Sequence, residues 1–250
     1  MRAVLFALTL FSFSAALANS DAVHPKEVEW PFNGVRGHVD EQAAQRGYQV
    51  YKEVCASCHA MKYKSFRNLE EIGFSEGEVK AIAASYSVAD GPNDAGEMFE
   101  RPGRPSDRFV SPYANEKAAR AANDGAFPPD LSLITKARHE GPGYVYSILT
   151  GFTTPPADAA AVPGKHYNPY FPGHWIGMPP PLADGQITYA DGTKATVDQM
   201  SRDVVIFLQW AAEPEMQHRK EMGIKVLLFL AVMTGLFYTA KVRVWARLQD

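Results

Sequence analysis

The chain has two cysteines, Cys55 and Cys58, which stand in the stretch VCASCHA with His59 directly after them. In an oxidising compartment a bare C-x-x-C tends to become a disulfide or a redox centre, so the motif's neighbours decide its use. A redox dithiol of the thioredoxin type needs a βαβ setting, and none surrounds the motif. A structural zinc site takes four ligands as a rule, and there is no second cysteine pair. The adjacent histidine favours the third reading, because C-x-x-C-H is a c-type haem attachment pattern. If residues 46–59 are helical, Cys55, Cys58 and His59 fall at i, i+3 and i+4 on one face. Two thiols can then form thioethers with the haem vinyl groups while the imidazole reaches the iron.

The ends of the chain set the compartment. MRAVLFALTLFSFSAALANS has one arginine, an apolar run and an Ala16-Leu17-Ala18 cleavage signal. Residues 1–18 therefore read as a secretory signal peptide of a bacterial exported protein. Residues 222–241 are apolar, with Lys225 near the start and Lys241 at the close. Nineteen or so helical residues reach about 28 Å, close to the hydrocarbon thickness of a bilayer. This predicts one transmembrane anchor helix, with Lys225 snorkelling to the interface. Residues 19–221 then form an exported domain on the periplasmic side of the inner membrane, and 242–250 a cytoplasmic tail. That domain carries 20 Lys and Arg against 27 Asp and Glu, a net of −7. The balance argues against nucleic acid and would steer a basic soluble partner.

Between the ends the pattern is helical and loop-rich. Tyr48, Tyr51 and Val54 share an apolar stripe ahead of the motif. Helices are expected at 76–85, 113–123 and 144–150, with a helical turn at 131–138. Residues 90–107 read as loop from their Gly, Pro and Asp content, and 151–195 as loop from their prolines. A small hairpin is expected at 186–194, around Asp191-Gly192. Thr196 and Gln199 match a capping box opening the last helix of the domain, which Pro214 ends or kinks.

A haem iron held by His59 has a second axial position, and its occupant decides between electron transfer and open-site chemistry. Candidates are Met61, Met98, Met178, Met200, Met216, Met222, His139, His166 and His174. Met61 is too near the motif to cross to the opposite face, and Met200 lies on a packing stripe. Met178 sits in GHWIGMPPPL, where three prolines stiffen the loop. From the residues alone the choice stays open.

RGYQVYKEVCASCH, NDGAFPPDLSLITKARH, YVYSILTGF, YNPYFPGHWIGMPPPL, DGTKAT and FLQWAAEPEMQHRKEMGIKVLLF resemble cytochrome c1. That family is the c-type haem subunit of the cytochrome bc1 complex, ubiquinol–cytochrome c oxidoreductase. The resemblance covers nearly all of residues 30–245. It implies a mainly α fold: a class I cytochrome c-like haem domain with long loop insertions, plus one C-terminal transmembrane helix. It implies one covalently bound haem c on Cys55 and Cys58, with His59 and Met178 as axial ligands. Arg138 matches an arginine facing a haem propionate, and Asn123, Pro129, Tyr144 and Phe171 match haem-pocket positions. The implied partners are cytochrome b, the Rieske iron–sulfur protein as electron donor and cytochrome c as acceptor, in a dimeric complex. The chain would then be a redox subunit with no catalysis of its own. Two rival expectations are a membrane-anchored haem enzyme of the peroxidase kind and a haem subunit of another respiratory assembly. Some bacterial members carry an extra cysteine pair that tethers the methionine loop; this chain lacks it.

Overall fold

A computed structural model describes residues 21–157 and 159–246. The expected signal peptide lies outside the described residues, as does the end of the expected tail.

Helix α1 (Glu41–Glu53) starts at Asp40, whose carboxylate accepts from the Ala43 N–H at 3.0 Å. Its inner face is Ala43, Ala44, Gly47, Tyr48, Val50 and Tyr51. Helix α2 (Glu76–Ala84) opens with a reciprocal capping box between Ser75 and Glu78. Strands β1 (Ser87–Asp90) and β2 (Phe99–Pro102) form an antiparallel ribbon. Helices α3 (Glu116–Ala122) and α4 (Gly141–Thr150) follow. Two-residue strands β3 (His166–Tyr167) and β4 (Trp175–Ile176) pair in the proline-rich region. Helix α5 (Val197–Ala212) and the long α6 (Met216–Ala246) complete the chain. The architecture is mainly helical, as expected.

The core forms where α1 crosses α5. Gly47 has no side chain, so the main chain of Asp203 and the Phe207 Cβ pack straight onto it. Around the crossing, Tyr48, Tyr51, Phe66, Phe109 and Phe207 form one aromatic cluster, with Trp210 on Phe207. Arg46 on α1 donates two hydrogen bonds, both 3.0 Å, to the buried Asp203 carboxylate on α5. Such a pair gains from its two-pronged geometry, because an unpaired buried carboxylate is costly.

Several expectations are corrected. Helix α1 does not run unbroken to His59; it ends at Glu53 and a 3₁₀ turn, Cys55–Ser57, takes over. No hairpin forms at 186–194. Ile187 and Tyr189 are buried in the core, and Gln49 and Arg46 bind Thr188 and Asp191 from α1, so the segment pairs with a helix instead of itself. Within 90–107, read as loop, β2 pairs back onto β1, and Arg101 fastens it by binding Asp90 and Asp107. Thr196 caps α5 by accepting from the Gln199 N–H, but the Gln199 side chain turns to Asp203, so the box is half made.

Helix α6 is long and apolar enough to cross a membrane, and its apolar stretch is unburied by the rest of the chain. It continues through 242–246, the first part of the expected tail. Its root is fastened to the head. Lys220 donates to the Phe32 carbonyl at 2.6 Å and the Gly37 carbonyl at 3.3 Å. Glu213 binds Lys136 at 3.1 Å and Arg219 at 3.2 Å, while Met216 is buried.

Candidate haem site

The Cys55–Ser57 turn preserves the geometry the motif needs. The Cys58 and His59 N–H groups both donate to the Cys55 carbonyl, at 3.1 and 2.9 Å. The two thiols and the imidazole therefore leave one tight turn. Burial pushes the Cys55 thiol up to about 12, helped by the neighbouring Cys58. A thiol held protonated is a poor redox nucleophile, so Cys55 is not primed for dithiol exchange. Among the described residues no group of three or more His, Cys, Asp or Glu converges as metal ligands, so the zinc reading has no ligand set.

His59 is aimed by a contact far away in sequence. Its Nδ1 lies 2.7 Å from the Pro129 carbonyl, an acceptor that can take only an N–H. This fixes the tautomer and leaves Nε2 with its lone pair free. Burial also lowers the imidazole pKa, against the opposing pull of the Pro129 carbonyl and Asp130. A neutral ring with one nitrogen anchored and the other free is the donor an iron needs. The residues present thus fit a c-type haem: two thiols and an oriented imidazole.

The stretch after the motif is zipped onto the Pro129 segment. Leu131 N–H donates to the Ala60 carbonyl at 2.9 Å. Lys62 N–H donates to the Asp130 carboxylate and Tyr63 N–H to the Ser132 hydroxyl, at 3.0 and 3.1 Å. The other end of this segment reaches the methionine loop: a β-carbon on Gly177 would sit 3.1 Å from Ala126 Cβ. One connecting segment, 126–132, therefore touches both His59 and the residue before Met178. Met178 itself is half-buried.

The remaining methionines are placed elsewhere. Met61 and Met200 are fully buried in the core and Met216 at the anchor root. Met98 is exposed on the β1–β2 ribbon and Met222 on α6. Asn123 closes α3, donating to Tyr113 Oη and the Ala119 carbonyl. Tyr144 on α4 is raised in pKa by burial, and Arg138 beside it pulls the other way. Arg138 is exposed and donates to the neighbouring Ala137 carbonyl. Phe171 is part of the turn leading to His174. Asp130 and Ser132, which dock the motif, carried no signal in the sequence beyond following two prolines.

A turn that presents Cys, Cys and an anchored His, on a helical head with an apolar C-terminal helix, defines a membrane-anchored c-type cytochrome. The Cytochrome C1 family pattern matches residues 30–248. Cytochrome c1 of Rhodospirillum rubrum is 49% identical over 247 residues, covering 92% of this chain and 91% of that one. "Cytochrome c1 1, heme protein, mitochondrial" of Arabidopsis thaliana is 53% identical over 234 residues, covering 92% and 76%. "Cytochrome b/c1" of Bradyrhizobium diazoefficiens is 51% identical over 262 residues, covering 96% of this chain but 38% of that protein. The chain belongs to the cytochrome c1 family. It is the electron-transferring haem subunit of a cytochrome bc1 complex with cytochrome b, and it carries one covalently bound haem c. The peroxidase-like alternative is not favoured.

Proposed function

We propose that Cys55 and Cys58 hold the haem covalently and that His59 and Met178 are its axial ligands. The observation that carries this is the His59–Pro129 bond, which occupies Nδ1 and leaves the Nε2 lone pair free beside the turn that bears both thiols. Bound haem supplies reversible one-electron chemistry. The chain's own residues orient it and set how readily it gives up the electron. A thioether from Met178 is soft and neutral, so it favours the ferrous state and a high potential. Arg138 stands next to Tyr144 and can face a propionate, while Asn123, Pro129 and Phe171 wall the pocket. The electron comes from a Rieske iron–sulfur protein and leaves to a cytochrome c, in a dimeric complex. The haem domain lies on the periplasmic side of a bacterial inner membrane, after removal of a signal peptide at 1–18.

Met178→Leu tests the ligand set. Leucine cannot ligate, so the assembled variant should bind carbon monoxide, titrate at a markedly lower midpoint potential and support little quinol oxidation. A variant with unchanged potential that stays closed to carbon monoxide would move the axial role to another residue, with His166 and His174 of the same loop next in line.

A further inference from the structure

The loop that ends in Met178 has no disulfide to tether it, yet it is closed from outside by the start of the described chain. The Gly173 N–H donates to the Asp21 carboxylate at 3.0 Å. The second Asp21 oxygen lies 3.7 Å from His174 Nε2. Two residues on, the Val23 N–H donates to the Pro169 carbonyl at 2.8 Å. We infer that Asp21 is a positioning residue for Met178, a clasp that locks the turn from which the methionine is presented. The inference rests on the reading of Met178 as an axial ligand.

The turn it closes has bonds of its own, from the His174 N–H to the Phe171 carbonyl at 2.8 Å and from the Phe171 N–H to the Asn168 carbonyl at 3.1 Å, but it carries backbone strain. Gly173 and His174 have φ of +73° and +61° in succession. Glycine takes that region freely, but for histidine it is strained and persists only where the surroundings enforce it. The His174 ring lies 5.8 Å from the Tyr167 ring on β3, and its Nδ1 is buried without a protein hydrogen-bond partner. On the inner side, Asn168 enforces the turn. It is fully buried, donates its side chain to the Ile148 carbonyl at 2.8 Å, and its N–H donates to the His174 carbonyl at 2.8 Å. On the outer side, Asp21 does so. Immediately after His174, β4 pairs with β3 and the chain reaches Gly177, seated on Ala126, then Met178. Release of Asp21 leaves the turn to its inner bonds alone, and the strained Gly173–His174 pair is held less firmly. That shifts the short β3–β4 pairing, and with it the point where Met178 leaves the ribbon.

Asp21 is mostly exposed, so its charge alone is worth little. Its effect comes through a directional bond to one N–H. Asparagine keeps an oxygen for that bond, and alanine does not. The test uses the complex in membranes, carrying Asp21→Ala, Asp21→Asn or Met178→Leu. The readouts are the sulfur-to-iron charge-transfer band of the oxidised haem and carbon monoxide uptake by the reduced haem. Asp21→Ala should weaken the band and take up carbon monoxide about tenfold faster, the upper scale for losing one intramolecular hydrogen bond. Asp21→Asn should stay near wild type. An Asp21→Ala protein that matches wild type in both readouts overturns the clasp, as does an Asp21→Asn protein damaged to the same degree as Asp21→Ala. If Met178→Leu removes the band while Asp21→Ala leaves it intact, the ligand reading stands and the clasp alone falls. If Met178→Leu keeps the band, the ligand reading itself has failed.

Discussion

Gly47 on α1 lies against the main chain of Asp203 on α5, so closely that a β-carbon there would overlap the Asp203 carbonyl and press on Phe207 Cβ at 2.7 Å. The helix crossing that carries the core is therefore set at the distance of bare backbone. Gly47→Ala should destabilise the head by about 2 kcal/mol, because overpacking outweighs the gain of up to about 1 kcal/mol in helix propensity. Denaturant unfolding of the solubilised protein, followed by far-ultraviolet circular dichroism, measures it. A variant as stable as wild type would mean that the helices can move apart freely.

Removing either thiol should remove one thioether. Cys55→Ala or Cys58→Ala should give little holoprotein, and a shifted α-band in what survives. The double variant should show no haem-linked peroxidase stain after denaturing electrophoresis. Ordinary covalent haem in that double variant would rule out the attachment site.

The β1–β2 ribbon should loosen in acid. Hydrogen bonds from Arg101, and one from the Arg104 N–H, hold the Asp107 carboxyl down to about 2, against an ordinary value of about 3.9. A depressed folded-state pKa stabilises above the unfolded value, and that contribution is lost as pH falls through the folded one. The contribution should thus be complete above about pH 4 and fade between about 4 and 2. Asp107→Asn should be less stable at neutral pH and show a flatter melting profile across that window. Parallel profiles for the two proteins would show that Asp107 does not titrate with folding.

Residues 19–221, at a net of −7, should favour a basic acceptor. Reduction of a soluble basic cytochrome c by the complex should slow as ionic strength rises, since exposed charges are screened beyond about 8 Å at physiological salt. A rate indifferent to salt would remove steering from the account.

The parts legible in the sequence were those written locally. Thr196 opening α5 and the apolar run of α6 are patterns within one segment, and the structure forms both. The cysteine–histidine cluster was likewise readable from spacing. What the sequence hid depends on partners far along the chain. Pro129 bonds His59 through a main-chain carbonyl, which carries no residue signature, across a separation of 70 positions. The expected 186–194 hairpin failed for a related reason. Asp191-Gly192 does turn, with the Gly192 N–H bonded to the Tyr189 carbonyl, but α1 offered its flanks better partners than they offered each other. Gln199 could satisfy either the Thr196 N–H or Asp203, and the buried carboxylate won.

Lys220 gripping the Phe32 and Gly37 carbonyls, with Glu213 bridging Lys136 and Arg219, ties the root of the anchor to the head. A head on a slack stalk could lean freely to any side. Here leaning breaks bonds at the root, so the tilt of the head on its anchor is restrained by the same few side chains that join them.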